Sequence, residues 1–243
     1  MAMVMLRAQG VSVRFGGVQA LRDVTFELGG PGIYALIGPN GAGKTTLFGV
    51  ISGGVRATSG QLWFGGRQVL GWKPWEAARS GVARTFQITR AWRSLTVMEH
   101  VELAAVASGE SRGAARARAA ELCGSVGLSD VQHRLARELP LGQQRRMEIA
   151  RALALGPSLL LLDEALAGLT ATEAGELVQL ISALPSRDIC VLITEHVMEL
   201  VMPIAHTVLV LDHGVLIAVG PPAEVARDPT VLAAYLGDAH VTP

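Results

Sequence analysis

The sequence predicts an α/β fold that contains a mixed sheet, an antiparallel β subdomain and an inserted α-helical subdomain. Short apolar runs bounded by glycine recur toward both ends of the chain, as is typical of strands. The later runs alternate with helix-like segments, which indicates parallel crossover units, whereas the early runs are joined by turns, which favours antiparallel pairing. Between about Thr96 and Leu155 the chain is rich in Ala, Leu and Arg, and this change predicts the helical subdomain.

The apolar runs place the individual elements along the chain. The first six residues, Met1–Leu6, are interpreted as a first strand, because Arg7 interrupts them too early for a signal sequence. Helices are predicted at Thr172–Leu184 and His196–Ala205, and a last short helix ends at Leu236-Gly237. Further strands are predicted at Gly10–Phe15, Val24–Leu28, Ile33–Ile37, Gln61–Phe64, Leu159–Leu162, Ile189–Ile193, Thr207–Leu211 and Val215–Val219.

Length, charge and apolar content limit the class of protein. The 243 residues, 50% of them hydrophobic, can bury a full core but are too few for two large domains. Lys plus Arg and Asp plus Glu each number 21, so no broad basic surface and no nucleic-acid partner are expected. The apolar runs fall far short of the roughly 20 residues that a membrane-spanning helix needs. Cys123 and Cys190 lie among apolar residues, which predicts buried free thiols.

The clearest motif follows the predicted strand Ile33–Ile37. Residues Gly38–Thr45 fit the phosphate-loop pattern G-x-x-x-x-G-K-[ST], and their place between a strand and a helix disfavours a plain glycine-rich turn. Backbone N–H groups of such a loop surround the β-phosphate, the lysine reaches the β- and γ-oxygens, and the last hydroxyl can ligate Mg²⁺. We therefore predict a P-loop NTPase core. Its nucleotide contacts are expected from Gly38, Pro39, Asn40, Gly41, Ala42, Gly43, Lys44, Thr45 and Thr46.

Two adjacent acids end a later apolar run. Asp163 and Glu164 follow Leu159–Leu162, at the carboxyl end of a strand, where ligands of open α/β sheets bind. We predict that Asp163 holds Mg²⁺ through water, and that Glu164 polarises the water that attacks the γ-phosphate. Taken alone, the pair is equally compatible with solvated acids at a strand end. The phosphate loop favours the catalytic interpretation.

The segment Leu139–Arg146 precedes the helical run Met147–Leu155. Here the chain resembles the ATP-binding cassette (ABC) ATPases, whose signature motif, usually L-S-G-G-Q, opens a helix that faces the γ-phosphate bound to the opposite subunit. Pro140 stands at the serine position, and the lost hydroxyl removes a hydrogen bond worth about 0.5–1.5 kcal/mol. The resemblance implies that Leu141, Gly142 and Gln143 contact the partner's nucleotide.

Three single residues match ABC positions in the expected chain order. Phe15 matches the aromatic residue that stacks on adenine, Gln87 matches the Q-loop residue near Mg²⁺ and water, and His196 matches the switch histidine at the γ-phosphate. Order and spacing give these matches their weight, because a lone Phe or His is more often structural. The resemblance implies catalytic roles for Lys44, Gln87, Glu164 and His196, and metal contacts from Thr45, Gln87 and Asp163.

The segment after Glu164 departs from the ABC pattern. Residues Ala167–Thr170 occupy the D-loop, where an acid or amide is common at the position of Thr170, and Ala165 replaces the usual proline. We expect these departures to affect the rate of hydrolysis more than ATP binding. Together with Pro140 they also leave open a regulatory subunit that only binds ATP, although retention of Glu164 and His196 argues against it.

Four further segments resemble the LivG type of branched-chain amino acid importer subunit: Arg14–Gly17, Ala83–Gln87, Gly142–Ala150 and Ala234–Gly237. Similar subunits serve importers of urea, amides and other hydrophobic amino acids, so the cargo stays open. The resemblance implies one ABC domain over 1–243, with a catalytic core at 1–87 and 157–243 and a helical signature subdomain at about 88–156. The alternative is a soluble ABC-type ATPase that remodels a non-membrane partner.

The same resemblance implies the cofactors and partners. ATP and Mg²⁺ are the expected ligands, and ATP-driven closure with a second ATPase subunit, either a copy or a paralogue, is the expected mechanism. Transmembrane permease subunits are the expected direct partners, and an extracytoplasmic substrate-binding protein is an indirect one. The chain is then a peripheral protein at the cytoplasmic face of the inner membrane.

Overall fold

The structure, a computed structural model, describes residues 4–85, 92 and 94–236. Within these residues the strands form two sheets, one of six strands and one of four. The helices are α1 Lys44–Ile51, α2 Pro74–Arg79, α3 Val97–Ala107, α4 Arg112–Ser125, α5 Leu141–Ala154, α6 Ala171–Ser182, α7 Met198–Val201, α8 Pro222–Val225 and α9 Pro229–Leu236. In the described ranges, every helix is too short or too polar to cross a membrane.

The six-stranded sheet forms the centre of the molecule. It contains β3 Gly32–Ile37, β6 Val82–Arg84, β7 Leu159–Asp163, β8 Cys190–Thr194, β9 Thr207–Asp212 and β10 Val215–Gly220. Its order is β10-β9-β3-β8-β7-β6. Neighbouring strands are parallel except for β10 and β9, so the predicted mixed sheet is confirmed.

The second sheet is antiparallel. It contains β1 Leu6–Phe15, β2 Val18–Leu28, β4 Ser59–Phe64 and β5 Arg67–Gln68, in the order β2-β1-β4-β5. This sheet confirms the predicted antiparallel subdomain. Helices α3, α4 and α5 lie between β6 and β7 in the chain and confirm the inserted helical subdomain.

Both faces of the central sheet are buried at β3, β7, β8 and β9, which explains the uninterrupted apolar runs of these strands. In β7, Leu160 and Leu162 belong to the core on the side of α3 to α6, whereas Leu159 and Leu161 belong to the core shared with α1 and the antiparallel sheet. Alternation along a strand assigns successive side chains to opposite faces. Cys123 and Cys190 are buried free thiols, as predicted.

Three predictions of elements were wrong in detail. Within the described residues the first strand begins at Leu6, where its register with β2 starts opposite Leu28, and not at Val4. The run Ile33–Ile37 lies between β8 and β9 in the parallel sheet and not among the antiparallel strands. The helix predicted at His196–Ala205 is shorter in the structure, where α7 covers only Met198–Val201. Pro203, two residues after the end of α7, cannot donate the backbone hydrogen bond that a longer helix would need.

Candidate nucleotide-binding site

The phosphate loop opens onto a cavity of about 370 Å³. Asn40–Thr46 line one wall of this cavity, and Val18, Gln19 and Ala20 of β2 line another. Glu164 and His213 complete the lining. The cavity therefore lies beyond the carboxyl ends of parallel strands, where the fold brings the N-terminus of α1 and the two acids together.

The loop geometry leaves no space for a side chain at its first residue. Gly38 has a φ of 148°, and a Cβ atom there would lie 1.9 Å from the Leu211 carbonyl oxygen. Glycine at this position allows the backbone to turn tightly from β3 toward α1. The first turn of α1 carries no acidic residue, so no carboxylate of the helix itself offsets the positive end of its dipole at the cavity.

The Lys44 side chain bends back over the loop. Its Nζ atom donates to the carbonyl oxygens of Gly38, at 2.7 Å, and Pro39, at 3.0 Å. Burial lowers the pKa of Lys44, and the negative charges of Glu164 and Asp163 oppose this shift. The ammonium group is therefore held inside the curve of the loop, near both acids.

The two acids at the end of β7 have different environments. Asp163 is buried, and its two carboxylate oxygens accept hydrogen bonds from Arg84 Nη2, at 2.7 Å, and Thr194 Oγ1, at 2.9 Å. Glu164 instead has a φ of 49°, a left-handed conformation that costs about 1–2 kcal/mol for a residue other than glycine. The Glu164 N–H donates to the Thr194 carbonyl oxygen at 3.0 Å, and the turn directs the Glu164 side chain into the cavity.

Glu164 pairs directly with His196. The distance between Glu164 Oε1 and His196 Nε2 is 2.7 Å. The pair joins the residues that follow β7 and β8, which are adjacent strands. A carboxylate that is oriented by a histidine at the edge of a phosphate-loop cavity has the arrangement of a base that activates water.

A sequence model of the ABC transporter family matches residues 21–167, more than half of the chain. The chain belongs to the ABC transporter family. A second model, for branched-chain amino acid ATP-binding cassette transporters, matches residues 215–241. As an ABC protein, the chain is an ATP-binding cassette, an ATPase whose hydrolysis is coupled to transport.

Full-length ABC relatives support this assignment. The high-affinity branched-chain amino acid transport ATP-binding protein LivG of Salmonella typhimurium is 38% identical, over 98% of this chain and 100% of LivG. BraF of Pseudomonas aeruginosa is 36% identical over the same shares of the two chains. The ADP conformation of MJ1267, an ATP-binding cassette of an ABC transporter, has a TM-score of 0.88 and 29% identity, over 97% of this chain and 99% of that one. These relatives favour the transport interpretation over the soluble alternative.

Phe15 and the segment Leu141–Gln143, also predicted site residues of this ABC protein, are not among the described residues that line the cavity. Phe15 ends β1 opposite Val18, and Val18 rather than Phe15 lines the cavity among the described residues. Leu141, Gly142 and Gln143 form the first turn of α5, outside the cavity lining of the described part of the chain. Gln87 lies outside the described residues.

Mg²⁺ fits the donor atoms of this ABC site. Thr45 and Asp163 provide hydroxyl and carboxylate oxygens, which are the ligand atoms that Mg²⁺ prefers. In the described part of the chain, His, Cys, Asp and Glu form no cluster of three that could hold a metal ion alone. Phosphate oxygens and water would therefore have to complete the coordination shell, as they commonly do for Mg²⁺.

Sequence reasoning missed several residues that shape the site. Arg84 and Thr194 bind Asp163, and the sequence predicts no role at the site for either of them. Glu195 is 2% exposed, and its Oε1 atom accepts from the Leu166 N–H at 2.6 Å. His213 lines the cavity, but an isolated histidine after a strand gives no signal in the sequence.

Proposed function

We propose that this chain is the ATP-hydrolysing subunit of an importer for branched-chain or other hydrophobic amino acids, amides or urea. The observation that carries this proposal is the cavity in which the phosphate loop faces Glu164, itself bonded to His196. The names of LivG and BraF, which transport branched-chain amino acids, support the cargo class. The match at residues 215–241 supports it independently at the C-terminal end.

Each group at the cavity then has a chemical role. Lys44 binds the β- and γ-phosphate oxygens, and the N–H groups of the loop surround the β-phosphate. Glu164 accepts a proton from the attacking water, and His196 orients Glu164 and contacts the γ-phosphate. Thr45 and Asp163, together with Gln87, would hold Mg²⁺, which would neutralise charge on the phosphates.

The partners follow from the same proposal. Two ATPase subunits, either copies or paralogues, close around two ATP molecules, each held between one phosphate loop and the partner's Leu141–Gln143 turn. Closure drives permease subunits in the membrane, and an extracytoplasmic binding protein delivers the cargo to them. The chain is then peripheral, at the cytoplasmic face of the inner membrane. The cassette architecture shared with MJ1267 supports this arrangement.

Cellular uptake tests the function. The gene is deleted in its source organism, and uptake of labelled leucine, isoleucine, valine, urea and acetamide is compared with the parent strain. We expect loss of one of these uptake activities, restored by the wild-type gene and by Glu121→Gln, which changes an exposed acid on α4, but not by Glu164→Gln. Unchanged uptake of all five compounds in the deletion strain would contradict the proposed cargo.

A further inference from the structure

The N-terminus of α5 is occupied by a carboxylate of the same subunit. Pro140 is the N-cap residue of α5, and a proline side chain has no atom that accepts a hydrogen bond from the first turn. The carboxylate of Glu173 of α6 lies against Gly142 in that turn. A Cβ atom on Gly142 would lie 2.6 Å from Glu173 Oε1 and 3.0 Å from Glu173 Cδ. The Glu173 carboxylate therefore lies at a helix terminus that Pro140 leaves without a side-chain acceptor.

The Glu173 side chain is fixed by the N-terminus of its own helix. The Thr170 N–H and hydroxyl donate to Glu173 Oε2, at 3.0 and 2.9 Å, and the Glu173 N–H donates to Thr170 Oγ1 at 3.3 Å. These hydrogen bonds from Thr170 lower the pKa of Glu173, and the Gly142 N–H and the Arg146 charge lower it further. The carboxylate is consequently ionised at neutral pH and held in one position.

Two neighbouring contacts bring the same parts of the chain together. Arg146 of α5 forms an ion pair with Glu176 of α6. Leu141 lies against the D-loop, since a Cβ atom on Gly168 would be 3.1 Å from Leu141 Cδ2. The signature turn and the D-loop therefore form one packed unit in this subunit, with Glu173 at its centre.

We propose that Glu173 is a positioning residue whose carboxylate occupies the anion position at the N-terminus of α5 and is displaced by the partner's ATP on closure. This inference rests on the proposed ATP sandwich, in which the Gly142 turn receives the γ-phosphate. The Glu173 carboxylate lies beside the turn that would receive the γ-phosphate, and the two negative charges repel each other. Glu173 thereby raises the ATP concentration that closure requires.

The chain contains a matched control for this residue. Glu99 forms the same capping box at the start of α3: the Thr96 N–H donates to Glu99 Oε2 at 2.7 Å, and the Glu99 N–H donates to Thr96 Oγ1 at 3.2 Å. Hydrogen bonds from Thr96 lower the pKa of Glu99 as well. Glutamine is also accepted at this position of a capping box, so Glu173→Gln and Glu99→Gln remove equivalent charges without removing either cap.

ATP-dependent dimerisation tests the proposal. Both substitutions are made in the Glu164→Gln background, in which we expect bound ATP to be retained, and dimer formation is measured by sedimentation over a series of ATP and ADP concentrations. Because a charge at a helix N-terminus has a modest effect, we expect Glu173→Gln to lower the ATP concentration at half-dimerisation about two- to fivefold. We expect no shift for Glu99→Gln, and no change in ATP affinity of either monomer. With ADP, which lacks the γ-phosphate, the two variants should behave alike.

Each other outcome identifies what fails. If the parent dimerises but Glu173→Gln needs the same or a higher ATP concentration, the displacement inference is wrong and the proposed function stands. An equal shift in Glu99→Gln would also overturn the inference, because it would show a general effect of charge. If the parent forms no dimer at any ATP concentration, the ATP sandwich fails and the displacement inference fails with it.

Discussion

Lys44 combines burial with two backbone contacts and the nearby charges of Asp163 and Glu164. A phosphate that enters the loop replaces the carbonyl partners of the ammonium group with charged oxygens, which form stronger hydrogen bonds. Since hydrogen bonds to charged groups contribute about 1.5–3 kcal/mol, we expect Lys44→Ala to weaken ATP binding by roughly 10- to 100-fold. Calorimetric titration with ATP measures this, and Lys73→Ala, at the exposed start of α2, is the control. Unchanged affinity in Lys44→Ala would exclude the phosphate-loop assignment.

Glu195 precedes His196 and binds Leu166, just before the D-loop, and its burial makes stability depend on pH. Burial raises the pKa of Glu195 from 4.5, and the N–H groups of Leu166 and His196 partly offset this shift. Between pH 4.5 and the raised value the native state binds more protons than the unfolded chain, so the free energy of unfolding falls as pH rises. Glu195→Gln removes this loss but keeps an oxygen for the Leu166 N–H.

We therefore expect the Tm of Glu195→Gln relative to wild type to rise from pH 4.5 upward and to level off above the native pKa of Glu195. Scanning calorimetry over a pH series measures the two curves. Parallel curves would show that Glu195 has the same pKa in the native and unfolded states.

The two cysteines should be chemically inert in the folded protein. Burial raises the pKa of Cys123 to about 11 and the pKa of Cys190 to about 12, so the reactive thiolate is scarce at neutral pH. We expect iodoacetamide to modify neither residue in native protein at pH 7.5 and both residues after unfolding in guanidinium. Mass spectrometry counts the adducts. Rapid modification of native Cys190 would show that β8 opens to solvent.

At the scale of the elements, β7 depends on packing on both of its faces. Leu161 is fully buried against α1 and the antiparallel sheet, and loss of its side chain leaves a cavity. We expect Leu161→Ala to lower the free energy of unfolding by about 2–5 kcal/mol. We expect Val219→Ala on β10 to lower it by less than about 1 kcal/mol, because half of the Val219 side chain is exposed. Urea denaturation measures both values, and equal losses would contradict the two-sided burial of β7.

The sequence predicted strands well where both faces of a strand are buried, because the apolar run is then continuous. The run Leu159–Leu162 illustrates this, since β7 extends it only by Asp163. The sheet to which a strand belongs could not be predicted, and Ile33–Ile37 was assigned wrongly, since the turns around it resemble those of the antiparallel strands. The short pieces β5, β6 and α2 were missed because two to six residues contain too little periodicity.

The catalytic candidates were predictable where chemistry demands a fixed local pattern, as in Gly38–Thr45 and in Asp163-Glu164. The residues that orient them, such as Arg84 and Glu195, were not predictable, because they meet their partners only when distant segments pack together. The bond between Arg84 and Asp163 joins residues 79 positions apart. The contact of Glu173 with Gly142 likewise depends on the packing of α6 against α5, which no local pattern encodes.

At the scale of the whole molecule, the site is divided between two surfaces. The phosphate loop and Glu164 line the cavity, and His196 is bonded to Glu164. The Leu141–Gln143 turn begins α5 and, in the described part of the chain, is not part of the cavity lining. One subunit therefore provides only one side of the proposed ATP sandwich.

Hydrolysis should require two subunits, and turnover per subunit should rise with protein concentration below the dimerisation constant.

In the proposed function, Glu164 activates water for ATP hydrolysis inside a closed dimer. Turnover of Mg-ATP by purified wild type and Glu164→Gln, together with size exclusion of each protein in ATP, measures this role. We expect turnover by wild type, a loss of about 10²- to 10⁴-fold in the variant because a general base is removed, and a stable dimer of the variant in ATP. Wild-type turnover in Glu164→Gln, or a variant that stays monomeric in saturating ATP, would contradict the claim.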